Sequence, residues 1–404
     1  MKIIRGYVYT EEGFVQKDIY IGGQVLQKEA EADDSDTIDA EGCYIIPGLT
    51  DIHFHGCVGY DFCDGSMEAM EAIGAYQASV GVTTIMPATM TLPEKELFKI
   101  CGAAAAYAEQ QRAAEMEAVA ESRMRNVEGN RLASQGKKEN ASAKEATFCG
   151  INLEGPFVSG EKLGAQNPAY LQKPNQELFE RLQQESGDLI KMVDIAPELS
   201  GAMEFIRKNS GQVVISLAHT AAGYDTAMEA FDAGADHVTH LFNAMNPLRH
   251  REPGVIGAAA DAGAYVELTC DGVHVHPAAV RGVLKLFGED RIIFISDSMM
   301  ATGLTDGDYS LGGQPVKVVG RKAFLKDGTI AGSVTNLMEC MRRAVLEMQI
   351  PLETAVKCAA VNPAKHMGLY EKYGSITPGK IANLVLLDRE SLEVKRVIIN
   401  GIPI

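Results

Sequence analysis

Between residues 49 and 300, hydrophobic and polar positions repeat one pattern: a short apolar run closed by a polar residue, then a stretch of helical period. The runs are LTDIHFHG, TTIMPAT, FCGINLEG, IKMVDIAPE, QVVISLAHT, DHVTHLF, AYVELTCDG and RIIFISDS. Segments between most of them, such as AAGYDTAMEAFDAGA and HPAAVRGVLKLFGED, place apolar residues three and four apart, as amphipathic helices do. Strand and helix in alternation predict a parallel sheet, and eight units predict an α/β fold, a (β/α)8 TIM-like barrel over residues 49–373. An open doubly wound sheet is the competing arrangement, but no glycine-rich dinucleotide turn follows the first strand.

The two ends of the chain have a different character. Residues 2–45 read as short strands punctuated by turn glycines, and the tail GSITPGKIANLVLLD…LEVKRVIINGIPI reads the same way. They are expected to pair into one small β-domain made of residues 1–48 and 374–404. Residues 103–146 break the repeat. Their first half is rich in helix formers, and their second half is polar with few apolar anchors, so a helical and mobile insertion is expected there.

Composition narrows the function. A formal net charge of −17 over 404 residues argues against a nucleic acid or an anionic membrane as partner. A small anionic substrate held by a local Arg or His stays open. No apolar window approaches the length of a membrane span. The N-terminal residues alternate and carry charges, unlike a signal peptide, and the eight cysteines contain no CxxC pair. They read as reduced thiols of a cytoplasmic protein.

The candidate chemistry lies where the apolar runs stop. His53 and His55 share one face of a strand, because side chains alternate with period two. Alone, this pair reads equally as two satisfied core histidines. Glu154, His219, His240 and Asp297 also end apolar runs, each before a small or turn-forming residue. Barrel active sites sit at the carboxyl ends of strands. Burying one such group without a partner is costly, and packing does not explain a His or carboxylate at five strand ends. Convergent ligands for one or two divalent metals, such as Zn, Fe, Ni, Co or Mn, explain it. His237, three positions before His240, should face elsewhere and be structural; His366 reads likewise, and His276 belongs at the rim.

PGLTDIHFHG and GSITPGKIANLVLLD resemble the opening and closing signatures of the amidohydrolase superfamily. NLEGPF, SLAHT, THLFNAMNPL, REPG, DGVHV, SDSM and GTIAGS are similar to the N-acetylglucosamine-6-phosphate deacetylase family in particular, in order along nearly the whole chain. The resemblance implies a metal-dependent barrel plus a small β-sandwich from both chain ends, and removal of acetate from N-acetylglucosamine 6-phosphate. It implies Glu154, His219 and His240 as principal metal ligands, and Asp297 as catalytic acid/base. His53 and His55, which some members lack, would hold a second ion with Glu154. Asn243, Ala244 (through its backbone N–H), Arg251 and His274 match substrate-binding positions. The arginine is expected to reach in from a neighbouring subunit, which implies a homodimer. Gln166 stands where well-known members carry a substrate-contacting His; it donates a hydrogen bond but cannot become cationic. A deacetylase for N-acetylgalactosamine 6-phosphate, a dihydroorotase- or hydantoinase-like enzyme, and an inactive barrel scaffold are the other readings. The second lacks its bridging lysine here, since NLEGPF offers Glu154, and the last predicts lost ligands.

Overall fold

The computed structural model describes residues 1–29, 36–127 and 144–404. It is a mixed α/β architecture built around curled parallel sheet. The eight apolar runs supply strands β1 (Leu49–Asp51), β2 (Val82–Ile85), β3 (Ile151–Leu153), β4 (Ile190–Ile195), β5 (Val214–Leu217), β6 (His237–Val238), β7 (Tyr265–Thr269) and β8 (Ile292–Ile295). β3 to β8 form one six-stranded sheet in chain order, with every pairing parallel. β1, β2 and the short strand Thr147–Phe148 form a second parallel sheet. An isolated parallel bridge joins Ala88 to Asn152, beyond β2 and within β3. On the other side, Asp297 N–H donates to the His53 carbonyl at 2.9 Å and His55 N–H donates to the Ser298 carbonyl at 2.7 Å. Strands such as β2 and β8 are buried at every position, which is why they read as continuous apolar runs.

Helices α1 (Met67–Ser79), α2 (Glu94–Val127), α3 (Gln176–Ser186), α4 (Ala202–Asn209), α5 (Tyr224–Asp232), α6 (Gly254–Ala262), α7 (Pro277–Phe287) and α8 (Leu337–Leu346) follow the strands. Local chemistry starts several of them. Ser66, Asn175 and Asn336 cap α1, α3 and α8 by accepting a backbone N–H of the first turn. His276 caps α7 in the same way, with Pro277 at the first helical position. The irregular segment is helical from Glu94 to Val127, so its helix begins before residue 103. The expected mobile stretch falls mainly on residues 128–143, which lie outside the described residues.

The chain ends meet. Strand Leu384–Asp388 runs antiparallel to Cys43–Pro47 in a six-stranded sheet that also holds Tyr7–Thr10 and Val394–Ile399. A four-stranded sheet of Lys2–Ile4, Ile19–Gly22, Val25–Gln27 and Thr37–Asp39 shares an apolar cluster with it, including Ile3, Ile21, Ile45, Leu384 and Ile398. The Pro47–Gly48 step passes the chain from this sheet into β1. A β-carbon on Gly48 would meet Thr83 Oγ1 at 2.1 Å, so the crossing admits no side chain.

One element was absent from the sequence reading. Between β8 and α8, an antiparallel sheet of Gly307–Leu311, Gln314–Val319 and Lys322–Phe324 stands over the strand ends. Its Leu311, Val316 and Val318 pack with Met90 and Met299. The alternating DYSL and PVKVV, joined across Gly312–Gly313, were the available signal.

Candidate metal centre

Strands β3, β5, β6 and β8 each carry a functional residue just past their carboxyl ends. Glu154 follows β3 directly, while His219, His240 and Asp297 stand two residues beyond β5, β6 and β8. Their backbones turn sharply there: φ is 42° at His219, 28° at His240 and 49° at Asp297. This left-handed region is disfavoured for residues with a β-carbon, and such conformations concentrate at functional sites.

Two donor groups result. Glu154, His219 and His240 offer ligand atoms within 4.8 Å of one another, and so do His53, His55 and Asp297. Glu154 joins them: its Oε1 lies 3.0 Å from His219 Nε2 and 3.3 Å from His240 Nε2, and its Oε2 lies 3.3 Å from His55 Nε2 and 3.6 Å from His53 Nε2. Asp297 Oδ1 is 3.4 Å from His55 Nε2. All six side chains are buried.

The outer ring nitrogens fix the tautomers. His219 Nδ1 is 2.9 Å from the Lys162 carbonyl and His55 Nδ1 is 3.3 Å from the Ala88 carbonyl. A carbonyl only accepts, so both rings carry their proton on Nδ1 and turn an Nε2 lone pair toward Glu154. His53 Nδ1 faces Glu267 Oε2 at 2.9 Å with the same effect. Lone pairs and carboxylate oxygens thus point at one another, and Glu154 Oε2, His53 Nε2 and His240 Nδ1 have no hydrogen-bond partner. Imidazole and carboxylate donors so arranged fit divalent cations, with carbonyls and a carboxylate orienting the rings from behind.

Burial works to raise the Glu154 carboxyl pKa, but His53, His219 and His240 outweigh it and hold it well below the usual range. Burial also works to raise Asp297, yet the neighbouring His55, His53 and His274 rings hold it below its ordinary value. At His274 burial favours the neutral ring, while Asp271, 2.7 Å from Nδ1, reverses this and raises the pKa.

These groups line a cavity of about 240 Å³. His55, Glu154, His219, His240 and Asp297 lie on it together with Gln166, Asn243, Ala244 and His274. His53 is buried beneath, reaching the site through Glu154. Gln166 Oε1 accepts the Thr91 N–H at 2.7 Å, which pins its amide. Arg251 does not line the cavity of its own chain; it is exposed on the loop before α6. His237 is buried 3.4 Å from Glu267 with its ring 4.8 Å from that of His366 at a 45° tilt, away from the cavity, and His276 caps α7. Sequence reasoning missed Glu267 and Asp271. Asp271 sits in the quoted DGVHV, whereas Glu267 interrupts an apolar strand at an inward position, which was its only signal.

A curled parallel sheet with histidines and carboxylates gathered at its strand ends defines the class, and the chain belongs to the amidohydrolase family, which it matches over residues 44–403. Within that family its relatives are specific. It is 37% identical over 348 residues, 86% of this chain and 81% of the relative, to the N-acetylglucosamine-6-phosphate deacetylase of Bacillus subtilis (strain 168). It is 32% identical over 365 residues, 90% of this chain and 88% of the relative, to the N-acetylgalactosamine-6-phosphate deacetylase of Escherichia coli O157:H7. Among solved structures, a variant of the N-acetyl-D-glucosamine-6-phosphate deacetylase of Mycobacterium smegmatis in complex with N-acetyl-D-glucosamine-6-phosphate superposes with a TM-score of 0.85 at 30% identity, covering 100% of this chain and 98% of that one. The N-acetylglucosamine-6-phosphate deacetylase of Pasteurella multocida superposes with a TM-score of 0.85 at 26% identity, covering 100% and 99%. No helix among the described residues is long and apolar enough to cross a membrane.

Proposed function

We propose that this protein is a metal-dependent hydrolase that converts N-acetyl-D-glucosamine 6-phosphate and water to D-glucosamine 6-phosphate and acetate. The observation that carries the reading is the convergence of Glu154, His219 and His240 beside Asp297 in one cavity. The relatives' activity supports the substrate. We read the architecture as a (β/α)8 barrel over residues 49–373 with a small β-sandwich of residues 1–48 and 374–404. The edge contacts of the two parallel sheets and the apolar cluster shared by the chain-end sheets support this.

Glu154, His219 and His240 would hold one divalent cation (Zn, Fe, Ni, Co or Mn), and His53 and His55 with the shared Glu154 a second. A bound divalent cation acidifies water and polarises a carbonyl. Asp297, kept ionised, accepts a proton as water attacks the acetyl carbon and returns it to the sugar nitrogen, which leaves as an amine. His274, its ring held by Asp271, turns its other nitrogen to the substrate side, with Asn243 and the Ala244 backbone. Arg251 suits the phosphate, whose oxygens match a planar guanidinium, and reaches it in a homodimer from the neighbouring copy. A phosphorylated sugar does not cross a membrane unaided, which supports a cytoplasmic reaction.

Acetate release from the two epimeric phosphorylated N-acetyl sugars, with metal content measured on the same sample, tests the reading. Faster turnover of the glucosamine epimer by a metal-containing sample is the expected result. Absence of turnover on both by that sample rejects it. The galactosamine epimer is the second reading, supported by the Escherichia coli relative, and Gln166 makes the comparison worth running.

A further inference from the structure

We propose that Glu267 is a positioning residue that locks the two donor groups into one unit. The inference rests on the reading that the site holds divalent cations, and it adds a residue that touches neither cation nor substrate. Glu267 lies on β7 and is wholly buried. Its Oε2 faces His53 Nδ1 at 2.9 Å and accepts the backbone N–H of His240 at 3.0 Å. Its Oε1 lies 3.4 Å from His237 Nε2.

The two bonds of Oε2 act on different groups. By taking the proton side of His53, the carboxylate leaves Nε2 with its lone pair toward Glu154, the orientation a ligand needs. By taking the His240 N–H, it braces a backbone at φ 28° that a residue with a β-carbon does not adopt freely. His240 stands just beyond the two-residue strand β6; Thr239 N–H reaches the Leu217 carbonyl and Leu241 N–H the Glu267 carbonyl, and the Glu267 side chain takes the N–H between them. One side chain therefore sets the ring of a ligand in the His53, His55, Asp297 group and the main chain of a ligand in the Glu154, His219, His240 group. A carboxylate in an apolar strand, wholly removed from water, is costly to retain for packing alone.

The test uses the intact Co2+-loaded protein, challenged with increasing chelator, with visible absorbance reporting bound Co2+. Glu267→Gln keeps the shape and one acceptor oxygen but loses the charge. Glu267→Asp keeps the charge and withdraws it by one methylene, which covers a Gln variant that does not fold by circular dichroism. The expected result is a roughly 10- to 100-fold loss of Co2+ affinity in either variant. In a His53→Ala background the same substitution should weaken affinity by a smaller factor, because one of its two routes is already gone. Variants that hold Co2+ as tightly as the parent overturn the inference, as does an equal effect with and without His53. A parent that takes up no Co2+ overturns the functional reading and this inference together; a parent that binds it, with indifferent variants, overturns this inference alone.

Discussion

His219 Nε2 and His240 Nε2 face each other at 3.1 Å, nitrogen to nitrogen, and Glu154 Oε1 completes a triangle with them at 3.0 and 3.3 Å. His219 spends its Nδ1 proton on the Lys162 carbonyl, so it offers the pair a lone pair rather than a hydrogen. A cation between these donors would draw them together. Divalent metal should therefore stabilise the fold, by about 4 kcal/mol at a thousandfold excess over Kd. Chelation should lower Tm and restored metal should recover it. Scanning calorimetry of chelated and reloaded protein checks this, and an unchanged Tm would count against the centre.

Asp297→Asn should keep the metal and lose about 10²- to 10⁴-fold in kcat, the range of a general acid–base group. Asn tolerates the left-handed φ of 49° that position 297 requires, so the backbone is retained. Metal content and single-turnover rates check the two halves separately. Near-parental kcat would remove Asp297 from proton transfer.

Arg251 is exposed on its own chain, so the proposed phosphate contact requires a second copy. Arg251→Ala should raise KM for the phosphorylated sugar at least tenfold, the loss of one charge-assisted contact. Arg251→Ala mixed with Asp297→Asn should regain activity, because the mixed dimer holds one site with Asp297 from one copy and Arg251 from the other. An arginine acting within its own chain gives no recovery.

Burial pushes the Asp61 carboxyl up to about 6, against His55 and the Cys63 N–H that it accepts at 2.7 Å. The native state then binds a proton that the unfolded chain has released. Stability falls as pH rises from about 4 to about 6 and levels off above, a loss on the order of 3 kcal/mol from this group. Asp61→Asn keeps the acceptor and removes the titration. Its stability relative to the parent should grow through that window, as urea midpoints at pH 4, 5, 6 and 7 will show.

What was legible in the sequence was what period and position encode. Eight apolar runs announced the strands, and a polar residue at the end of a run marked Glu154, His219, His240 and Asp297. The left-handed turns that aim three of them leave only a faint trace in residue type, since His and Asp enter that region more often than most residues but far less often than glycine. Glu267 and Asp271 were invisible for a related reason. Their work is to hold another side chain, and the partners, His53 for one and His274 for the other, are settled only by the fold. The sheet over the cavity was passed over because Gly307–Leu311 and Gln314–Val319 fall inside one repeat unit and look like its loop.

The antiparallel pairing of Cys43–Pro47 with Leu384–Asp388 has a consequence for biosynthesis. The early strand emerges from the ribosome long before its neighbour exists, and its edge stays open throughout translation of the residues between. Completion of that sheet is a late event with high contact order, a situation that invites aggregation and chaperone capture. Nonsense mutations that remove only the closing strands would then be as damaging to yield as lesions in the cavity itself.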